Sequence, residues 1–113
     1  MYRFTLEENE RILKKDKASL HIDDVGLIGA LYLTNERLVF VGFVLGASHQ
    51  QEKAVFLKQV KEIRASKTLL IIPNVLDITL HNDERFNIIV KGRDEWLAAI
   101  RTQMLVVGKT TDP

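Results

Sequence analysis

The sequence predicts a mainly β fold, a curved sheet or partial barrel, with a single C-terminal helix covering an open end or face. Three observations carry this. Apolar and polar residues alternate with period two at Val75–Leu80 and again at Arg85–Val90. The polar breaks Asn35-Glu36 and His81-Asn82-Asp83-Glu84 separate apolar runs as hairpin turns do. The period turns helical only after Gly92-Arg93-Asp94, where Trp96, Ile100, Met104 and Val107 recur at four, four and three residues and share one face.

Taken in order, Thr5-Leu6-Glu7-Glu8 has the spacing of a capping box, so a short helical turn is expected before the first strand. Residues 12–22 place Ile12, Ala18, Leu20 and Ile22 in one register and Leu13, Lys15, Lys17, Ser19 and His21 in the other, a half-buried strand. Asp23-Asp24-Val25-Gly26 supplies a turn. Leu27–Thr34 and Arg37–Val44 form a hairpin, and residues 42–49 read as a loosening strand end and loop. Gly26-x-x-Gly29 lies inside an apparent strand, where it permits a bend or close packing. Residues 52–66 read two ways. Their helix formers and the spacing of Phe56, Val60 and Ile63 favour a helix; the competing reading is a strand at 53–57, a tight turn, and a strand near 60–67. Leu69–Ile72 is an apolar run stopped by Pro73-Asn74. Gly108 is a natural stop for the final helix.

With 113 residues, the chain is predicted to be one domain, residues 1–108, with a short tail at 109–113. Sixteen Lys and Arg against fifteen Asp and Glu leave a net charge of +1, which argues against nucleic acid as a partner. There is no cysteine, so no disulfide or thiolate metal site can form. The first residues carry charges and no apolar core of signal-peptide length, and the longest uncharged apolar stretch, Leu38–Ala47, is too short to span a bilayer. The expectation is a soluble cytoplasmic chain, peripheral at a membrane if it meets one.

Several residues then fall into a known pattern. Phe4-x-Leu6, Glu10-x-Ile12-Leu13 and Ala18-x-Leu20 come first. Leu31-Tyr32-Leu33-Thr34-Asn35-Glu36-Arg37-Leu38-Val39-Phe40 follows, then Leu57-x-x-Val60-x-x-Ile63, a β-hairpin, and a helix with Trp96. In this order they resemble the GRAM domain family, a branch of the pleckstrin-homology-like (PH-like) superfold. The resemblance covers about Phe4 to about Met104. It implies a partly open barrel of about seven antiparallel strands in two nearly orthogonal sheets, capped by the C-terminal helix. It resolves residues 52–66 as strand, turn, strand. It also implies that Trp96 plugs the barrel, with Leu31, Leu33, Leu38 and Phe40 in the core.

The residues argue against catalysis. Ser19, Ser48 and Ser66 are the only serines, none in a nucleophile-elbow pattern, and no Gly-rich phosphate loop leads from a strand into a helix. No cofactor is implied. His21, His49 and His81 are the only histidines, and they lack the paired spacing of a metal site, so loop polarity accounts for them. The reading is a noncatalytic binding or protein-interaction module.

Three kinds of partner follow. A polyphosphoinositide needs converging cations at the loop after the first strand, but that loop carries Asp23 and Asp24, and the turn before the last strand carries Asp83 and Glu84. Specific polyphosphoinositide recognition is therefore disfavoured. An anionic membrane is the alternative partner: Phe43, Val44 and Leu45 would dip into the headgroups, with Lys53, Lys58, Lys61, Arg64 and Lys67 as a candidate basic face. The favoured partner is a protein or a second copy of the chain. Leu27, Ile28, Leu31, Leu33, Val39 and Val41 leave apolar residues in both strand registers, and Leu69, Leu70 and Ile71 are the candidate contact segment beside them.

Overall fold

A computed structural model describes residues 4–22, 25–44, 49–68 and 72–110, without the side chains of 67, 68, 72, 73, 109 and 110. The chain runs β1 (Ile12–Ile22), β2 (Val25–Thr34), β3 (Arg37–Val44), β4 (Gln51–Phe56), a 3-10 turn (Leu57–Gln59), β5 (Val60–Thr68), β6 (Ile72–Leu80), β7 (Arg85–Val90) and α1 (Arg93–Thr110). The seven strands form one antiparallel sheet in the order β4-β3-β2-β1-β7-β6-β5. The strand, turn, strand reading of residues 52–66 is the one the fold adopts. Helix propensity there loses to burial: Val55, Leu57, Val60 and Ile63 all enter the core.

The connectivity forces the sheet to curl. Flat, seven strands would hold the two edges about 29 Å apart. Yet the edge strands β4 and β5 are joined by only the Leu57–Gln59 turn, and four residue steps reach at most about 14 Å. The edges must therefore come round towards each other, which makes a half-barrel. β1 is the shared strand: it pairs with β2 along its length and with β7 through Ala18–His21, joining the two halves of the sheet. At the bend of β2 and β3, Gly29 stands directly opposite Gly42. A Cβ on Gly29 would meet the Val41 carbonyl, and one on Gly42 would meet the Ile28 carbonyl. The backbones can approach this closely only because both residues lack side chains.

Inside the curl, Leu20, Leu31, Leu33, Phe40, Leu76, Ile78 and Ile88 are fully buried around Trp96 and Ile100 of α1. Burial of each of these two helix residues is worth about 2–3 kcal/mol. The Trp96 indole N–H donates to Asp16 Oδ2 at 2.8 Å, and Lys14 Nζ lies 5.3 Å from the ring centre. This pairing explains why the inward register of β1 carries Lys14 and Asp16 near its start. α1 is tied to β5 by Arg93, which donates to the Ser66 carbonyl at 2.7 Å, and by Arg101, which donates to the Ile63 carbonyl at 3.2 Å.

The second apolar register of β2 and β3 is also covered. Ala30, Tyr32, Val39 and Val41 form a smaller buried cluster with Phe4 packed against it, the Phe4 and Tyr32 rings meeting edge-on at 5.0 Å. No helical turn forms at Thr5. Residues 7–10 instead make a tight turn with Asn9 at φ 66, and the Glu10 N–H donates to the Glu7 carbonyl at 3.0 Å.

Candidate functional site

The Thr34-Asn35-x-Arg37 stretch is a clamp on the N-terminal segment. Arg37 holds the Glu10 carboxylate with two parallel hydrogen bonds, Nε to Oε2 at 2.8 Å and Nη2 to Oε1 at 2.7 Å. Its Nη2 also donates to the Thr5 carbonyl at 2.9 Å. The Thr34 hydroxyl donates to Glu10 Oε2 at 2.6 Å and accepts from the Arg37 N–H at 2.7 Å. Asn35 accepts from the Arg11 N–H and donates to the Asn9 carbonyl, at 2.7 and 3.1 Å. The Glu10 side chain is wholly buried. The guanidinium of Arg37 holds its carboxyl down at about 2, overriding the upward push of burial. Every buried charge here is hydrogen-bonded, so the cluster has no free group for chemistry; it pins Phe4 and Thr5 onto β2 and β3.

Three of the five cations of the candidate basic face are paired with carboxylates. Lys53 reaches from β4 across the open seam to Glu84 in the β6–β7 turn, its ammonium 5.5 Å from the centre of the buried Phe86 ring. Lys61 pairs with Asp83 at 3.7 Å, and Arg64 with Glu62 at 3.8 Å on the outer face. Lys58 sits in the 3-10 turn with no acidic partner among the described residues. Lys67 keeps its place in β5, but its side chain is outside the described set.

The apolar candidates divide similarly. Phe43 and Val44 end β3, both half-buried, with Val44 turned inward onto the main core. Leu45, Leu69, Leu70 and Ile71 lie outside the described residues. Phe43 faces outward, directly opposite Ile28. Ile28 in turn stands opposite Ser19, Ser19 opposite Ile89, and Ile89 opposite Val75. These residues make one row across the outer face of the sheet. Ile28, second in the row, is 53% exposed, whereas Val75 at its far end is buried. Beside the row, Lys17, Ala18, Ser19, Ile28, Gly29 and Ile89 line an open hollow of about 440 Å³. Ile89 was missed as a site residue, although its signal is plain: it is the apolar residue in the otherwise polar register Arg85, Asn87, Ile89.

A half-barrel of seven antiparallel strands closed by one C-terminal helix is the PH-like fold. The GRAM domain family model matches residues 1–104. The chain belongs to the GRAM domain family. Two solved structures are similar in fold. One is the C-terminal domain of an unknown protein from Leishmania infantum (TM-score 0.73, 19% identity, 87% of each chain covered). The other is the Vps36 N-terminal PH domain (TM-score 0.70, 14% identity, 93% of this chain and 86% of that chain covered). No curated protein matches the chain. GRAM and PH-like domains are in general noncatalytic modules that bind proteins or lipids.

Proposed function

We propose that this GRAM domain is a noncatalytic protein-interaction module that docks through the outer-face row Phe43, Ile28 and Ile89. The observation behind this reading is Ile28. It stands in the middle of an ordered sheet, more than half exposed, while its outward neighbours Ala30, Tyr32, Val39 and Val41 are all buried. Covering an aliphatic side chain of this size is worth about 1.5–3 kcal/mol to a partner. The pairing of Lys53, Lys61 and Arg64 with carboxylates favours a protein over an anionic bilayer as that partner. Among the described residues no helix is long and apolar enough to cross a membrane.

Co-sedimentation with vesicles of phosphatidylcholine and phosphatidylserine separates the two partner classes. The protein reading expects the parent chain to stay in the supernatant. Sedimentation that Ile28→Asp and Phe43→Ala abolish would make the row a membrane contact instead.

A further inference from the structure

We infer that the far end of the barrel carries a second docking surface, a groove fitted to an acidic amphipathic helix of a partner protein. It stands apart from the outer-face reading above. Asn35, which lines the groove, directly follows the end of β2 and stands seven residues beyond Ile28, so the two surfaces are about 23 Å apart.

The groove has a volume of about 870 Å³. Arg11 just before β1, Phe56 at the end of β4, Lys58 and Gln59 from the 3-10 turn, and Gln103 and Val106 from the last turns of α1 line it. Its apolar side chains are open to solvent: Phe56 is 47% and Val106 45% exposed, and Leu105 beside Val106 is 67% exposed. Among the described residues, six of the eight exposed large hydrophobics lie in segments that frame this end: Leu6, Ile12, Leu13, Phe56, Leu105 and Val106. Such a concentration marks a contact surface.

The main chain of the turn in the groove disfavours strand addition as the binding mode there. The Phe56 N–H donates to Gln59 Oε1 at 2.8 Å, and the Leu57 N–H donates to the Glu36 carbonyl at 2.9 Å. The Gln59 carbonyl accepts from the His81 N–H at 2.9 Å. With these groups occupied, the groove offers side chains rather than a free ladder. Gln103 and Val106, three residues apart, form an edge of α1 along which a second helix packs ridge into groove.

Charge selects among occupants. Arg11 and Lys58 have no acidic partner within salt-bridge distance among the described residues, and Glu36 is the one carboxylate in the lining. Carboxylates on a narrow helix would meet the two cations. A second copy of the chain would set those cations against their own kind. An anionic bilayer, being broad, would also meet the exposed Glu7 and Glu8 of the neighbouring turn.

The test is selection of a displayed library of randomised peptides a few helical turns long against the intact chain. Binding of the selected peptides is then measured to three proteins: the parent, Lys58→Glu/Val106→Asp and Ile28→Asp. All three substituted positions are solvent-exposed, and thermal unfolding of each variant verifies its fold; Lys58→Glu alone serves if the double variant does not fold. The expected peptides carry large apolar residues at three- and four-residue spacing flanked by Asp or Glu. They lose at least about tenfold in affinity on the groove variant, a change of about 1.4 kcal/mol, and nothing on Ile28→Asp. Selected peptides that lack acidic residues, or that bind the groove variant as well as the parent, overturn the proposal, as does a selection that enriches none. Loss on Ile28→Asp alone would uphold the outer-face site and reject the groove. Vesicle binding that only the groove variant loses would make this end a membrane contact and equally reject the helix.

Discussion

Replacing Glu10 by Gln should expose how much the N-terminal clamp contributes to stability. The carboxyl of Glu10 ordinarily titrates at 4.5 and is held at about 2 in the folded chain, chiefly by its hydrogen bonds to Arg37. A depressed carboxyl stabilises the fold above its unfolded value, and that contribution disappears as pH falls through the folded value. A difference of this size corresponds to about 3 kcal/mol. It is fully present above pH 4.5 and lost by about pH 2. Glu10→Gln also leaves the buried Arg37 without its counter-charge, which puts the cost at neutral pH at about 3–5 kcal/mol. In a domain of this size that lowers Tm by about 10–20 °C. Denaturant unfolding of parent and variant at neutral pH and at successively lower pH is the assay. The stability gap between them should narrow as pH falls from 4.5 towards 2. Glu10→Met/Arg37→Met should recover part of the loss, because both charges are then gone. A single variant within about 0.5 kcal/mol of the parent, or a gap that does not change with pH, would refute the reasoning.

Gly29→Ala should cost about 3 kcal/mol by denaturant unfolding, since the new methyl meets the Val41 main chain rather than a yielding side chain; a neutral outcome would show that the two strands can separate at the bend. Trp96→Phe keeps the ring in the core but loses the bond to Asp16 and should cost about 1–2 kcal/mol. Trp96→Ala empties the barrel end and should cost about 3–5 kcal/mol. Equal losses for the two would mean that the polar contact outweighs the packing.

The β6–β7 hairpin was legible because its inward register is uniformly apolar: Leu76, Ile78, Leu80, Phe86, Ile88 and Val90 are all buried. The helix was legible at Trp96 and Ile100 for the same reason. Its Leu105 and Val106 were not read as a surface, since they lie off the stripe that period analysis follows. Residues 52–66 were misleading locally, because Phe56, Val60 and Ile63 keep helical spacing although Phe56 faces solvent and the other two face the core. The Glu10–Arg37 pair was out of reach, as its partners are 27 residues apart and no local pattern joins them. Thr34-Asn35-x-Arg37 was recognised as a family stretch, but its work of holding residues 5–11 needed the third dimension. Among the candidate contacts, Phe43 lies on an outer row whose most exposed residue, Ile28, belonged to the two-sided apolar strand already singled out.

The measurement closest to the central claim is affinity purification from the native host with parent and Ile28→Asp side by side, after matched thermal unfolding shows both folded. The account expects one reproducible protein partner on the parent that the variant loses, with neither protein retained on anionic vesicles. Identical partners on both, or vesicle binding that disappears with Ile28, would contradict it.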